Sequence, residues 1–286
     1  MDLKLKGKVA IVTGASMGIG LAIAEAFAKE GCNLTIVSRN LGDVSKAAAG
    51  LKKHGVDVLP LKCDVSRPEE VEEMVKKTVK KFRKIDILVN NAGIYGPLGP
   101  LVGNDFGEWE KTIKINLLGT VICTKSVLPH MIKAGKGKII NLSGAGTGGP
   151  ATPTISAYVT SKEAVARFTE VVAEEVKNHN IHVNSIAPGA VNTRLLDQVF
   201  AARDRMDKKF VEKSIKQRKT GGTPPERAAR LALFLASEES DGITGKLISA
   251  VWDDYGGFAA RLDEINDTSI YTLRRIDGVL YKEVEK

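Results

Sequence analysis

The sequence predicts a single doubly wound α/β domain with a central parallel sheet of about seven strands flanked by helices, followed by a C-terminal extension. Two observations carry this prediction. Short apolar runs alternate with longer stretches in which apolar residues recur at helical spacing, a pattern typical of parallel strands joined by helical crossovers. Turns rich in Gly and Asn follow these runs, and in such a sheet the carboxyl ends of the strands form the ligand crevice.

The elements alternate along residues 1–255, and residues 256–286 form the extension. We expect strands at residues 9–12, 34–37, 56–61, 85–89, 138–142, 182–186 and 246–251. We expect the main helices at about residues 19–29, 42–54, 66–82, 106–133 and 156–178. Ser66 is the expected N-cap of the third helix, because Glu69 three residues later completes a capping box.

Composition argues against several classes of protein. No apolar run approaches the ~20 residues of a membrane span, and the first residues lead directly into the first strand without a signal peptide. The three cysteines are odd in number and lack CxxC spacing, so we expect buried free thiols in a reducing cytoplasm. The four histidines lack ligand spacing as well, so we expect no metal site. The net charge of +8 is spread over helix faces without interleaved aromatic residues, which favours solvated surfaces over nucleic-acid binding.

The first glycine-rich turn is a candidate phosphate site. Gly14, Gly18 and Gly20 lie between the first strand and the first helix. Such a turn brings unpaired backbone N–H groups and the positive end of a helix dipole to one point, which suits a pyrophosphate. A tight strand-to-helix turn without a ligand is the alternative.

A second candidate site is Tyr158-Val159-Thr160-Ser161-Lys162, which places a phenol and an ammonium group on one helix face. A positive charge about 4 Å from the phenol would lower its pKa by roughly three units, toward neutral pH. Tyr158 would then serve as an acid or base. Taken alone, this spacing is more typical of an ordinary exposed Tyr and Lys.

Together these motifs resemble the classical short-chain dehydrogenase/reductase (SDR) family over about residues 7–250. The motifs are Thr13-Gly14-x-x-x-Gly18-x-Gly20, Asn90-Asn91-Ala92-Gly93 and Tyr158-x-x-x-Lys162. The resemblance implies a Rossmann-type fold and an NAD(P)-dependent oxidoreductase that interconverts a carbonyl and an alcohol by hydride transfer. The glycine spacing argues against the extended branch of the superfamily.

The resemblance also implies roles for individual residues. Tyr158 is the expected acid/base, Lys162 lowers its pKa and holds the nicotinamide ribose, and Asn116 anchors a water in a proton relay. Asn90 stabilises the sheet edge near the ribose. The implied cofactor-binding residues are Gly14, Ser16, Met17, Gly18, Ile19, Gly20, Ser38, Arg39, Asp64, Val65, Asn91, Ala92, Gly93, Tyr158, Lys162, Pro188, Gly189, Val191 and Thr193.

The sequence departs from the family at the catalytic serine. Relatives usually carry that serine one position after Ser143, where this chain has Gly144. Neighbouring residues at a strand end point to opposite faces, so Ser143 reaches the substrate only if a twist at Gly144-Ala145-Gly146 re-aims it. We take Ser143 as the candidate catalytic serine and Thr147 as its alternative.

The end of the second strand decides the expected cofactor. NAD-preferring relatives usually have an acidic residue there that accepts from the ribose 2′-OH. This chain has Ser38 and Arg39, which favour a 2′-phosphate, so we expect NADP(H) over NAD(H). The alternative is a solvated Arg39, because Met17 in the glycine turn is not basic.

Substrate and assembly are less defined. Residues 194–219 lie where the family places its substrate lid, and they are strongly basic; a solvated outer face explains this, as does a phosphorylated or carrier-linked substrate. We expect a small-molecule carbonyl or alcohol, with an anionic compound as one alternative, and no nucleic-acid or membrane partner. The alternatives are a 3-oxoacyl-thioester reductase acting on acyl carrier protein or CoA derivatives, and a catalytically idle NADP-binding sensor or scaffold.

The resemblance further implies a homotetramer or homodimer built on the helices around residues 106–133 and 156–178. We expect the extension to pack across a neighbouring subunit or over the active-site mouth, a frayed tail being the alternative.

Overall fold

A computed structural model describes residues 3–144 and 146–275 and confirms the predicted architecture. A seven-stranded parallel sheet has the order β3-β2-β1-β4-β5-β6-β7. The strands are β1 Val9–Thr13, β2 Asn33–Ser38, β3 Val58–Lys62, β4 Ile87–Asn90, β5 Gly137–Leu142, β6 Ile181–Ala187 and β7 Leu247–Ser249. The chain order reverses between β1 and β4, which is the switch point where a doubly wound sheet opens a ligand crevice.

Helices cover both faces of the sheet. They are α1 Gly18–Lys29, α2 Leu41–Leu51, α3 Pro68–Phe82, α4 Phe106–Ile113, α5 Gly119–Ala134, α6 Ser156–Val176, α7 Arg194–Ala201, α8 Lys208–Thr220, α9 Pro225–Ala236 and α10 Leu262–Asp267. A π-helical turn, Lys114–Leu118, joins α4 to α5, so the predicted helix over residues 106–133 is continuous but locally widened. Such turns are often found at functional sites.

The start of α3 differs from the prediction. Pro68 is the first helical residue, so Arg67 is the N-cap, and its side chain makes no capping bond. The Ser66 hydroxyl and amide instead donate to Asp64 Oδ1 at 2.7 and 3.0 Å. The proposed Ser66–Glu69 capping box is therefore wrong. Proline is well suited to the first helical position, because it has no amide proton that needs a partner there.

Two apolar layers hold the helices on the sheet. On one face α1 and α9 pack through residues such as Phe27 and Leu231, and on the other α3, α5 and α6 pack through residues such as Val71, Cys123 and Val172. The three cysteines, Cys32, Cys63 and Cys123, are buried free thiols, and burial raises the pKa of Cys32 and of Cys63 to about 12. They behave as small apolar side chains.

The described part of the extension packs on its own domain. Phe258 and Ile265 are fully buried in the layer formed by α1 and α9, and the Phe258 ring lies 4.9 Å from that of Tyr271. The Leu247 amide donates to the Tyr271 carbonyl at 2.7 Å, so the extension covers the free edge of β7. Residues 276–286, like Ala145, lie outside the described residues, and the expected contact with a neighbouring subunit stays a prediction.

In the part of the chain described here, one helical stretch, Phe106–Ala134, is long and apolar enough to cross a membrane by length and composition alone. Its residues Cys123, Val127 and Met131 are fully buried against the sheet. These contacts are those of a core helix.

Candidate active site

The glycine turn and the turn after β4 form one cradle at the carboxyl edge of the sheet. Gly14 and Gly18 have φ angles of 64° and 59°, which favour glycine. A Cβ on Gly14 would lie 2.9 Å from Ala92 Cα, and one on Gly20 would lie 2.3 Å from Asn91 Nδ2. Asn91 Nδ2 donates to the carbonyls of Thr13 and Gly14 at 2.8 and 3.1 Å, which fixes the two turns to each other.

The first turn of α1 fits a phosphate group. Its N-cap, Met17, makes no side-chain capping bond, and the turn has no acidic residue. The amides at this end therefore face the cradle without a side-chain acceptor, where the helix dipole favours an anion. The Thr193 methyl group lies opposite, 3.5 Å from where a Gly18 Cβ would stand. These residues fit the pyrophosphate of a dinucleotide, and Gly14, Ser16, Met17, Gly18, Ile19, Gly20, Asn91, Ala92 and Thr193 would hold it.

The ends of β2 and β3 form the outer part of the same crevice. The Ser38 hydroxyl donates to the Asn40 carbonyl at 2.8 Å, and Arg39 is exposed. Partial burial acts to raise the pKa of Asp64, but hydrogen bonds from Ser66 and the positive charge of Arg39 lower it below its usual value. Arg39 and Asp64 thus lie close enough to interact, at the place where an adenosine moiety would lie. Val65 is buried and packs against Gly119 of α5.

Tyr158 and Lys162 lie near each other on α6, but not as predicted. Lys162 Nζ is 5.8 Å from the Tyr158 ring centroid and donates to the Leu142 carbonyl at 2.6 Å. Burial raises the pKa of Tyr158 well above its usual value, and nearby Tyr95 raises it further. The expected lowering by Lys162 is wrong for this arrangement, because the ammonium group is directed at a backbone carbonyl and loss of hydration around the half-buried phenol opposes its ionisation.

The pKa of Lys162 also differs from its usual value. Burial lowers its pKa to about 8, so the side chain is still mostly charged at neutral pH. Its ammonium group lies 3.6 Å from where a Cβ on Gly93 would stand, and Asn116 Oδ1 lies 3.2 Å from the same point. A residue larger than glycine here would crowd both polar groups.

Asn116 is fully buried in the π-helical turn and has a full set of partners. Its Nδ2 donates to the Ile94 carbonyl and to Ser161 Oγ, both at 2.9 Å, and its Oδ1 accepts from the Ile94 amide at 2.8 Å. Ser161 Oγ donates to the Tyr158 carbonyl at 2.7 Å. Asn116 therefore connects the loop after the NNAG turn to the backbone of the helix that carries Tyr158.

Ser143 and Thr147 use their hydroxyl protons on backbone carbonyls. Ser143 Oγ donates to the Lys162 carbonyl at 2.8 Å, Thr147 Oγ1 donates to the Gly144 carbonyl, and the two oxygens are 3.0 Å apart. Each hydroxyl has one proton, so in this arrangement neither has one left for a substrate carbonyl. Direct donation by Ser143 stays a prediction, and it requires the bond to Lys162 to break.

Gly144, at the usual serine position, has a φ of 106°. A Cβ there would also lie 3.2 Å from Pro188 Cδ. A serine would be strained at this position, because few residues other than glycine adopt such a backbone conformation. The turn geometry thus matches the glycine that the sequence carries.

The segment after β6 and the lid close the site. A Cβ on Gly189 would lie 2.6 Å from Val251 Cγ2, Val191 is buried, and Thr193 caps α7 by accepting from the Leu195 amide at 3.3 Å. The inner face of the lid is apolar. Val199, Ala202 and Met206 form one cluster with Leu98 and Ile155, against which Tyr95 and Tyr158 pack.

Three site residues were missed at the sequence level. The Tyr95 ring packs edge-on against Tyr158 at 4.5 Å, Ser161 joins Asn116 to α6, and the Thr13 hydroxyl accepts from the amides of Asn91 and Ala92, both at 3.0 Å. Tyr95 follows the NNAG turn and Ser161 lies inside the Tyr–Lys motif. These positions, next to one motif and inside another, are the sequence feature that could have identified the two residues.

A glycine-rich cradle at the switch point, next to a buried lysine and a half-buried tyrosine under a lid, fits an NAD(P)-dependent oxidoreductase. A sequence profile described as short chain dehydrogenase matches residues 8–204. The chain belongs to the short-chain dehydrogenase/reductase family and acts on CH–OH or C=O groups.

Relatives and solved structures agree. The chain is 34% identical over 258 residues to dehydrogenase/reductase SDR family member 4 of Sus scrofa, covering 90% of this chain and 89% of that protein. It is 36% identical over 250 residues to the 3-oxoacyl-[acyl-carrier-protein] reductase FabG of Thermotoga maritima, covering 86% and 97%.

Two solved structures share the fold. NAD⁺-bound xylitol dehydrogenase superposes with a TM-score of 0.80 at 32% identity, over 86% of this chain and 98% of that one. A 7α-hydroxysteroid dehydrogenase complexed with NADH and 7-oxo-glycochenodeoxycholic acid gives 0.77 at 28% identity, over 87% and 94%.

Proposed function

We propose that this protein is an NADP(H)-dependent oxidoreductase that reduces a small carbonyl compound, with Tyr158 as the proton donor. The observation that carries the proposal is the position of Tyr158. Its ring packs against Tyr95 under the lid, on the helix whose Lys162 and Ser161 are bonded to β5 and Asn116. A bound nicotinamide cofactor would supply the hydride.

The raised pKa of Tyr158 suits the reductive direction. The phenol stays protonated at neutral pH and can donate to a developing alkoxide, the stronger base. The charged Lys162 would stabilise the phenolate that this transfer leaves only after its ammonium group turns from the Leu142 carbonyl toward Tyr158. Because the protons of Ser143 and Thr147 are taken by backbone carbonyls, Tyr158 is the main donor to the substrate oxygen in this proposal.

The proposed preference for NADP(H) rests on the end of β2, where Ser38 and Arg39 stand and no carboxylate follows directly. An exposed guanidinium group can bind a 2′-phosphate with two charge-assisted hydrogen bonds. We expect a higher kcat/KM with NADPH than with NADH, and Arg39→Ala should reduce the NADPH value about tenfold or more. Arg83→Ala, at the exposed end of α3, is the control. More efficient use of NADH by the unmodified protein would contradict the preference. Xylitol dehydrogenase and the 7α-hydroxysteroid dehydrogenase, two of the solved neighbours, carry NAD⁺ and NADH.

The surroundings of Tyr158 favour a neutral apolar body next to the reacting carbonyl. Leu98, Val199 and Met206 belong to the apolar cluster against which Tyr158 packs, whereas the lysines of α8 are exposed. An isolated anionic group in the pocket would lose hydration without an opposite charge to replace it. The arrangement therefore supports a solvated outer face as the reason for the basic residues of the lid, and argues against a small anionic substrate.

A 3-oxoacyl thioester is the second candidate substrate. The Thermotoga maritima relative is a 3-oxoacyl-[acyl-carrier-protein] reductase. The apolar cluster formed by Leu98, Ile155 and Met206 would suit an acyl chain. We further propose a cytoplasmic homodimer or homotetramer, which light scattering of the purified protein would test.

The direct test is NADPH oxidation across a panel of acyl thioesters, diketones, quinones, cyclic ketones and keto-sugar nucleotides. We expect turnover with one apolar class, and loss of that turnover in Tyr158→Phe while NADPH still binds. Turnover that survives Tyr158→Phe would contradict the assigned donor. Tight NADPH binding without turnover on any member would favour the sensor or scaffold alternative.

A further inference from the structure

Helix α8, the outer helix of the lid, has an unusual charge. Its 13 residues include six cationic side chains and a single carboxylate, Glu212. The helix thus has a formal charge of +5, against +8 for the whole chain. Two of its lysines, Lys208 and Lys209, lie in the first turn, where positive charge opposes the helix dipole.

The lysines share one outward face. Lys209, Lys213 and Lys216 are exposed and follow each other at spacings of four and three residues, so they form a row along the helix. Ser214 is buried and Phe210 is half-buried in the contact with the rest of the lid. The row therefore faces away from the apolar cluster around Tyr158.

Three other helices, α1, α3 and α4, carry ion pairs between side chains one turn apart. Glu25 pairs with Lys29 at 2.8 Å, Glu73 with Lys77 at 3.3 Å and Glu110 with Lys114 at 3.0 Å. Helix α3 has four lysines and four glutamates. On α8, by contrast, none of the five lysines has an ion-pair partner among residues 3–144 and 146–275, whereas Arg218 pairs with Asp197. Like charges at these spacings are unfavourable for an isolated helix.

The length of the lysine row along α8 indicates what kind of partner the row can contact. Lys209 and Lys216 are seven residues apart, or about 10 Å along the helix axis. One phosphate group of a substrate bound beside Tyr158 would not contact an outward row of that length. An acidic protein surface, with several carboxylates in a line, complements it.

We propose that the outward face of α8 (Lys209, Lys213 and Lys216) docks an acidic carrier protein that delivers the carbonyl substrate on a thioester. This proposal rests on the proposed reductase activity and gives its second candidate substrate a route to the site. Glycines with positive φ lie at both ends of the lid, Gly189 at 83° and Gly221 at 87°.

The test compares one 3-oxoacyl group on two supports, an acidic acyl carrier protein and N-acetylcysteamine. The variant is Lys209→Glu/Lys213→Glu/Lys216→Glu. The matched control is Lys76→Glu/Lys80→Glu, two exposed lysines four residues apart on α3. We expect the α8 variant to lower kcat/KM for the carrier-bound substrate at least tenfold and to change that for the N-acetylcysteamine substrate less than twofold. The control variant should change neither, and added salt should weaken only the carrier reaction.

The same acyl group on CoA is measured as a third substrate. Three results would overturn the proposal: no effect of the α8 variant on the carrier-bound substrate, equal effects on the carrier-bound and N-acetylcysteamine substrates, or an effect confined to the CoA thioester. The last would show that the row binds small phosphate groups. If the unmodified protein reduces neither substrate, the proposed function fails, and direct binding of the carrier protein by calorimetry then tests docking alone. Binding that the α8 variant loses and the α3 control keeps would support docking, and absence of binding would overturn it.

Discussion

Asn116 and Ser161 are joined by a hydrogen bond of 2.9 Å that connects the π-helical turn between α4 and α5 to the helix carrying Tyr158. The turn brings the Asn116 amide into a position where it also satisfies the amide and the carbonyl of Ile94. Ser161 in turn donates to the Tyr158 carbonyl, which connects Asn116 to the backbone of Tyr158. The position of the proposed proton donor thus depends on a residue that is distant in sequence.

We expect Asn116→Ala to lower the free energy of unfolding by about 2–4 kcal/mol. The change leaves the partly buried amide and carbonyl of Ile94 without their partner, and each unsatisfied group is worth about 1–3 kcal/mol. Urea unfolding measures the difference. Asn178→Ala, at an exposed position after α6, should stay within about 0.5 kcal/mol of the unmodified protein. Equal effects of the two changes would show that the Asn116 bonds contribute little.

Gly20→Ala should abolish tight cofactor binding. The new Cβ would stand 2.3 Å from Asn91 Nδ2 and 2.5 Å from the Gly14 carbonyl oxygen, so the two turns of the cradle must separate. We expect the Kd for NADPH, measured by fluorescence titration, to rise at least tenfold. Gly50→Ala is the matched control, because nothing lies within 4 Å of its Cβ position, and it should stabilise α2 by about 0.5–1 kcal/mol. Unchanged binding in Gly20→Ala would contradict the assigned cradle.

Lys162 carries a stability cost that depends on pH. Its pKa is lowered from 10.5 to about 8 by burial, so the unfolded chain binds more protons than the folded chain between those values. The stability of the unmodified protein should therefore gain roughly 3 kcal/mol from this group as the pH rises from 8 to 10.5.

Lys162→Met, which has no charge to bury, should be more stable than the unmodified protein at pH 7 by about 1–3 kcal/mol. This gain is smaller than the whole cost of burying the charge, because the variant also loses the hydrogen bond to the Leu142 carbonyl. Denaturant unfolding at pH 7 and pH 9.5 should show the difference shrinking with pH. A difference that is constant with pH would exclude a charged, buried Lys162.

The order of elements could be predicted from the sequence because strands and helices have different apolar periods, and each predicted strand is present. The predicted ends of strands and helices were less accurate where side chains form hydrogen bonds with the backbone. Strand β7 ends at Ser249, where the Ser249 amide donates to Asp253 Oδ2 at 2.7 Å and the Ser249 hydroxyl accepts from the Trp252 amide at 3.1 Å. The apolar pattern continues beyond that point and contains no sign of this turn.

The local motifs of the site were also predictable, because a glycine turn or a Tyr–Lys spacing lies within one short segment. Contacts between distant segments were not: Tyr95 against Tyr158, and Arg39 beside Asp64, depend on how the loops meet. The pKa of Tyr158 was predicted in the wrong direction for the same reason. It depends on burial and on where the Lys162 ammonium group points, and spacing along a helix determines neither.

The extension should contribute to the stability of the domain. Phe258 is fully buried in the layer formed by α1 and α9, so Phe258→Ala should lower the free energy of unfolding by about 3–5 kcal/mol. Trp252→Ala is the control, because this side chain is 87% exposed, and it should have an effect within about 0.5 kcal/mol. A small effect of Phe258→Ala would mean that the extension is not held in the core.

The most direct test of the account compares Tyr158→Phe with Ser143→Ala on the carbonyl substrate that gives the highest turnover. We expect Tyr158→Phe to lower kcat/KM at least 100-fold, because it removes the proton donor. Ser143→Ala should lower it less than tenfold, because its hydroxyl is bonded to the Lys162 carbonyl. Both variants should keep their affinity for NADPH. A loss in Ser143→Ala as large as that in Tyr158→Phe would contradict the account and assign Ser143 to the substrate.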